Sequence, residues 1–267
     1  MKKINLSVKL LDIKMLDLIA SFDVVSRIYL EADSYILNKP DISSIDKEIY
    51  ISLPDVFTTK GASLIDSNYD FLAENSDGFL IHNLDELFYL KERGFDLEKV
   101  ISSERLYAYN TEAVDFYKGF GLHNLTHPIE LTFSEGYDIS FESVEEIIYG
   151  RYGLMVSSGC VHKNTAKCDQ KQQNLILKDR KKMAFFVQNR CDYCYNVTYN
   201  SVPTMILDEL DRIHQDAKSV RIDFTFESKD EIGKIIKLYE ACLNGNCPAK
   251  EEFGEYTRGH YHKGMVS

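Results

Sequence analysis

Eight short β-rich runs, each followed by a stretch with helical spacing, recur along almost the whole of this 267-residue chain. Ile4–Val8, Val24–Leu30, Glu48–Leu53, Gly78–His82, Leu106–Tyr109, Pro128–Thr132, Leu154–Ser157 and Val220–Phe226 read as strands. Between them, spacings such as Leu11-Met15-Leu18-Ile19 place apolar side chains on one helical face. Ser143-Val144-Glu145-Glu146 and Ser228-Lys229-Asp230-Glu231 read as capping boxes that open helices. Strand–helix alternation of this kind predicts parallel βα units. The expected fold is α/β, a (β/α)8 TIM-barrel-like domain with a cysteine-rich insertion after strand 7. An open doubly wound sheet is the alternative, because periodicity does not reveal closure. Neither G-x-G-x-x-G after the first strand nor a Walker loop is present, which disfavours a nucleotide site on such a sheet.

The rhythm breaks at Ser158–Ser201, too long for an ordinary connection. Within it, Leu175–Lys178 and Ala184–Val187 flank Asp179-Arg180-Lys181-Lys182 as a β-hairpin would. The reading is one barrel over residues 1–249, including the insertion at 158–201, and a tail at 250–267. A loop leaving the C-terminal end of a barrel strand opens onto the face where active sites sit.

This segment also concentrates two kinds of chemistry. Residues 151–190 carry nine Lys/Arg against Asp169 and Asp179, a net +7 in a chain of net charge −11. The overall acidity argues against indiscriminate nucleic-acid binding, whereas the basic island suits RNA or an anionic small molecule. Cys160, Cys168, Cys191 and Cys194 fall within 35 residues, spaced C-x7-C-x22-C-x2-C. Four thiolates suit an iron–sulfur cluster, or alternatively zinc. No apolar run is long enough to span a membrane and the N-terminus lacks a signal-peptide core, so a cytoplasmic protein without structural disulfides is expected. Cys242 and Cys247 read as ordinary residues near the last helix, or as substitute ligands.

Tyr149-Gly150-Arg151-Tyr152-Gly153-Leu154-Met155-Val156-Ser157-Ser158-Gly159-Cys160 resembles the signature of the collagenase-like peptidase U32 family. Leu177-Lys178-Asp179-Arg180, Cys191-Asp192-Tyr193-Cys194-Tyr195-Asn196 and Tyr199-Asn200-Ser201-Val202-Pro203 extend the resemblance, as do Pro128-Ile129-Glu130-Leu131 and Arg221-Ile222-Asp223-Phe224-Thr225. Thr257-Arg258-Gly259-His260 resembles the family's ending. The resemblance implies a label of peptidase on collagen-like substrates. It also implies kinship with iron–sulfur proteins that support hydroxylation of ubiquinone precursors or RNA bases. Those relatives hold [4Fe–4S] through four cysteines, here Cys160, Cys168, Cys191 and Cys194. Where many relatives carry one more cysteine this chain has Met155, and their C-x-x-P-C run has only Cys168 as its counterpart.

Peptidase machinery is otherwise thin: neither H-E-x-x-H nor G-x-S-x-G occurs, and only His162, two residues from Cys160, suggests a thiol–imidazole pair. Strand-end residues Glu31, Asp55, His82, Asn110, Glu130 and Asp223 are site candidates, each also readable as a loop residue or helix cap. Glu130, Arg151 and Arg180 are the expected catalytic group, a buried carboxylate with two arginines for an anionic substrate. Tyr193, Tyr195 and Tyr199 read as a shield for a cluster, or as a platform for stacked bases. The expected function is [4Fe–4S]-dependent hydroxylation of an RNA base or small aromatic substrate. The alternatives are a peptidase and a non-catalytic zinc, four-cysteine module that docks RNA.

Overall fold

The computed structural model describes residues 4–138, 144–165, 168–213, 217–249 and 254–263. Seven parallel strands come first: β1 (Asn5–Leu10), β2 (Val25–Glu31), β3 (Glu48–Ser52), β4 (Gly78–Ile81), β5 (Val100–Ser102), β6 (Leu125–Thr126) and β7 (Val144–Gly150). A separate antiparallel sheet follows, built from β8 (Gly153–Ser157), β9 (Asn174–Lys178), β10 (Ala184–Arg190) and β11 (Tyr195–Tyr199) in the order β8-β11-β10-β9. The chain then returns through β12 (Thr204–Met205), antiparallel to β7, and β13 (Ser219–Phe224), parallel between β7 and β1. The path β7-β13-β1-β2-β3-β4-β5 is continuous, and β6 lies on the other edge of β7. A bridge between Ile101 and Asn124, with Ser102 N–H donating to Asn124 O at 2.9 Å, brings β5 to β6. Eight parallel strands therefore form a nearly closed, TIM-barrel-like ring.

The side chains obey a period of two, with an unusual assignment of faces. Leu6, Val8 and Leu10, Ile28 and Leu30, Ile49 and Ile51, and Val220, Ile222 and Phe224 join the large apolar core between strands and helices. Their alternates, Ser7 and Lys9, Arg27, Tyr29 and Glu31, and Ser219, Arg221 and Asp223, turn into the ring. Among the described residues, Tyr29, Tyr50, Leu80 and Ile101 make an apolar cluster there. Most barrels of this type fill that space with branched aliphatics. Here a hydrogen-bonded chain of charges fills it. Tyr29 OH donates to Glu145 Oε1 at 2.9 Å, and Arg221 binds Glu145 at 2.9 Å, Glu104 at 3.0 Å and Asp223 at 2.7 Å.

Several expected elements fall elsewhere. Leu106–Tyr109 is not the fifth strand, which is Val100–Ser102; Glu104–Leu106 is a single 3-10 turn capped by Ser103. Pro128–Thr132 is a turn after β6, closed by Leu131 N–H on Pro128 O, and a proline has no N–H for a central ladder. Val144–Glu146 begins β7 instead of a capped helix, and Ser143 lies outside the described residues. Leu154–Ser157, expected as strand seven, is β8 of the antiparallel sheet. The long helix expected from Val202 is β12 followed by short turns at Leu207–Glu209 and Leu210–Ile213, its last residues lying outside the described ones. The hairpin and the final capping box hold: β9 pairs with β10, and Ser228 and Glu231 exchange bonds at the start of Lys229–Leu243.

Cys242 and Cys247 form a disulfide, contrary to expectation. The last helix ends at Leu243 and Gly245, at φ 76°, turns the chain back on itself, bringing the two Cα atoms to 3.8 Å. That pairing removes both as substitute ligands and leaves Cys160, Cys168, Cys191 and Cys194 as the free thiols. No described helix is long and apolar enough to cross a membrane.

Candidate active site at the barrel mouth

The C-terminal ends of the strands converge on an open, polar cavity. Lys9 comes from β1, Glu31 from the end of β2, and Asp55 from the loop after β3. Glu104 and Arg105 follow β5, Arg151 and Tyr152 follow β7, and Asp223 lies on β13. Tyr199 of β11 closes one side. Gly150 lets β7 bend into this crowd. At φ 150° it passes so close to β13 that a Cβ would sit 2.8 Å from Asp223 O and 2.9 Å from Asp223 Cβ.

The antiparallel sheet roofs the mouth and is pinned there by side chains. Arg190, 1% exposed, donates to Glu31 at 2.7 Å and Asp33 at 3.0 Å. Tyr193 OH accepts from Asp33 N–H at 3.0 Å and Tyr195 OH from Asp55 N–H at 2.9 Å. Lys60 donates to Cys191 O at 2.7 Å. Inside, Lys9 lies 3.3 Å from Glu31, and Arg105 3.2 Å from Asp55.

These pairings drive the carboxyls apart. Burial alone would raise Glu104, but Arg221, Arg105 and Lys9 outweigh it and hold the group at about 2. Asp55 is depressed likewise, burial being overcome by Arg105 first. In Asp223 burial prevails over Arg221 and Lys9, and its pKa rises. Two carboxyls thus share one guanidinium with their pKa values displaced in opposite directions. Lys9 is raised: the charges of Glu31, Asp55 and Asp223 overcome its burial, so it serves as a cation and not as a nucleophile.

His82 lies beneath the mouth between Ser52 Oγ at 3.0 Å and Ser103 Oγ at 2.8 Å. Burial, then the Lys9 charge, pushes it from 6.5 to about 4. An unfolded chain therefore takes up a proton between these values that the folded chain refuses, so stability is lost as pH falls through that window. The expected contribution is about 3 kcal/mol between pH 6.5 and 4. In urea unfolding at stepped pH, His82→Gln should flatten this limb; an unchanged slope would exclude His82 as its source.

Of the expected catalytic group, Arg151 lines the cavity, donating to Ser201 O and lying 3.8 Å from Glu227. Glu130 stands apart, in the loop after β6 beside Tyr109, whose hydroxyl pKa rises through burial and the Glu130 charge. Arg180 is exposed at the β9–β10 tip, on the far end of β10 from Arg190, about 20 Å along the strand. Glu31, Asp55 and Asp223 reach the mouth, whereas Asn110 caps the helix Thr111–Gly119 through Ala113 N–H. The described part of the tail docks on β12, with Arg258 bidentate on Asp208. Sequence reading missed Lys9, Glu104, Arg105, Arg190 and Arg221. The signal for Lys9 and Arg221 was the polar alternate position in N-L-S-V-K-L and S-V-R-I-D-F, which marks a ring lined with charge.

The cysteines lie at the end of the roof opposite the Arg180 tip. Cys160 follows β8, Cys168 precedes β9, and Cys191 and Cys194 sit in the β10–β11 turn. Because Ser157 pairs with Asn196 and Asn174 with Gln188, all three connections leave the sheet at one end, the end that Arg190 pins to the mouth. Burial, then the neighbouring Cys160 and Cys168 thiols, pushes the Cys191 thiol up. His162 Nε2 lies 3.3 Å from Asp169 Oδ1 in the same segment.

No family model matches this chain, and no curated protein does. Among solved structures, the C-terminal domain of a putative chitinase from Desulfitobacterium hafniense DCB-2 is loosely similar, at TM-score 0.40 and 8% identity over 90% of this chain and 99% of that one.

Proposed function

We propose that this chain is an iron–sulfur enzyme in which Cys160, Cys168, Cys191 and Cys194 hold a [4Fe–4S] cluster at the rim of a charged barrel mouth. It would support hydroxylation of an RNA base or small aromatic substrate. The observation that carries this reading is the arrival of four free cysteines at one end of the antiparallel sheet, where Arg190 ties that end to Glu31 and Asp33. The donor set fits in kind, since four thiolates are what such a cluster takes. No group of three or more described His, Cys, Asp or Glu side chains is already drawn into metal-holding geometry, so the thiols must turn inward on binding. When bound, the cluster supplies one-electron transfer.

The remaining work falls to the mouth. Glu104 and Asp223, held side by side on Arg221, put two carboxyls of different acidity at the mouth for proton transfer. Arg105 and Arg151 face the cavity as anchors for an anionic group. Arg180, at the far tip, can reach only a large anionic substrate such as RNA.

Anaerobic purification with metal analysis and an absorbance spectrum tests this. About four irons per chain with broad visible absorbance is expected. Cys160→Ala and Cys191→Ala should abolish both. Stoichiometric zinc without iron would instead favour a structural four-cysteine module. A metal-free protein would move the peptidase reading forward, because Asp169 beside His162 is the partner that a Cys160–His162 pair needs.

A further inference from the structure

In the roof, Asn189 has a buried side chain with both polar atoms unpartnered. Asn189 of β10 is 1% exposed, and among the described residues neither its amide oxygen nor its amide nitrogen has a hydrogen-bond partner. A buried amide in that state carries its full desolvation penalty unless something absent from the chain completes it. Its surroundings are ordered for a purpose. Asn196, directly across on β11, donates through Nδ2 to Ser157 O at 3.2 Å and Gly159 O at 3.0 Å. Those bonds fix the chain that runs into Cys160. The backbone N–H of Asn189 donates to Gln173 O at 3.1 Å, anchoring the chain that arrives from Cys168. Cys191 lies two residues further along.

The strand pair thus clamps both cysteine-bearing arms, one through the Asn196 side chain and the other through the Asn189 backbone. Alternation along the sheet puts the Asn189 and Asn196 side chains on one face, opposite to Arg190 and Tyr195, which point to the barrel. Both amides are buried on that face.

We propose that Asn189 is a positioning residue of the cysteine site, its amide N–H donating to a thiolate sulfur once the site is loaded. This rests on the reading of the cysteines as ligands and adds a role for a residue outside the ligand set. Thiolates are strong acceptors of N–H bonds, and such bonds draw charge from the sulfurs and raise the reduction potential of a cluster.

The test uses the full chain with Asn189→Leu, which keeps the volume and removes both polar atoms, and Asn189→Asp, which keeps the shape without the donor. Three quantities are read: metal-free melting temperature, Zn²⁺ affinity by competition titration, and the reduction potential of the reconstituted iron–sulfur protein. Metal-free Asn189→Leu should melt at or above the wild-type temperature, because it no longer buries an unpaired amide. Its Zn²⁺ affinity should fall 10- to 100-fold, a loss typical of outer-shell partners, and any cluster retained should have a more negative potential. Asn189→Asp should weaken Zn²⁺ at least as much. A lowered melting temperature with wild-type Zn²⁺ affinity and potential would make Asn189 purely structural and overturn the proposal. Wild-type protein that takes up neither Zn²⁺ nor iron would overturn the cysteine reading itself, and this inference with it.

Discussion

Arg221→Met should cost the fold about 3–5 kcal/mol, more than any other change in the ring. Arg221 is fully buried and its guanidinium is shared by Glu145, Glu104 and Asp223. Removing it leaves Glu145 buried with only Tyr29 and Ser219 as partners, and takes the shared cation from Glu104 and Asp223, which keep Lys9 and Arg105 nearby. Methionine fills the volume, so the loss reads the charge network and not a cavity. In thermal unfolding the midpoint should drop on the order of 10 °C. Arg221→Lys should recover part of it, since a point charge cannot serve three partners in fixed directions. A drop of only a degree or two for the methionine variant would mean that these carboxyls are protonated in the native state.

The second large effect should be local. In Arg190→Leu, Asp33 loses its ion pair, while Glu31 keeps Lys9 at 3.3 Å. The barrel core contains none of the atoms removed, so global unfolding should change less than the attachment of the roof. Losing about 3 kcal/mol from that attachment should speed amide exchange in β8–β11 roughly 100-fold, with β1–β3 little changed. Equal acceleration in both sheets would show that roof and barrel open as one unit.

The sequence pattern revealed the barrel's periodicity better than its boundaries. β1 to β4 and β13 fall within two residues of their expected positions, because each alternates or runs apolar for long enough to be seen. β5 is only Val100–Ser102 and β6 only Leu125–Thr126, too short to carry a period. Their places were taken by apolar runs that turned out to be loops. β7 was hidden by Glu145 and Glu146, whose charges suggested a helix opening, although both are buried. The same bias concealed the site. A lysine or arginine is usually exposed, so Lys9, Arg190 and Arg221 were not read as site residues, whereas Glu130 stood out against an apolar run and lies outside the lining of the mouth. The clustering of the cysteines was legible because it is local in the chain. Their arrival at one end of a sheet needed the pairing of β8 with β11.

The charged lining of the ring has a calorimetric consequence. Exposing apolar surface raises the heat capacity on unfolding and exposing polar surface lowers it. A barrel whose inner layer is Tyr29, Glu145, Arg221, Asp223, Glu104 and Lys9 releases less hydrocarbon to water than one lined with valine and isoleucine. Its heat-capacity increment therefore falls below the usual value for its length, and its stability curve is broader and flatter. Cold weakens such a molecule less, because more of its cohesion comes from paired charges than from the aversion of hydrocarbon to water.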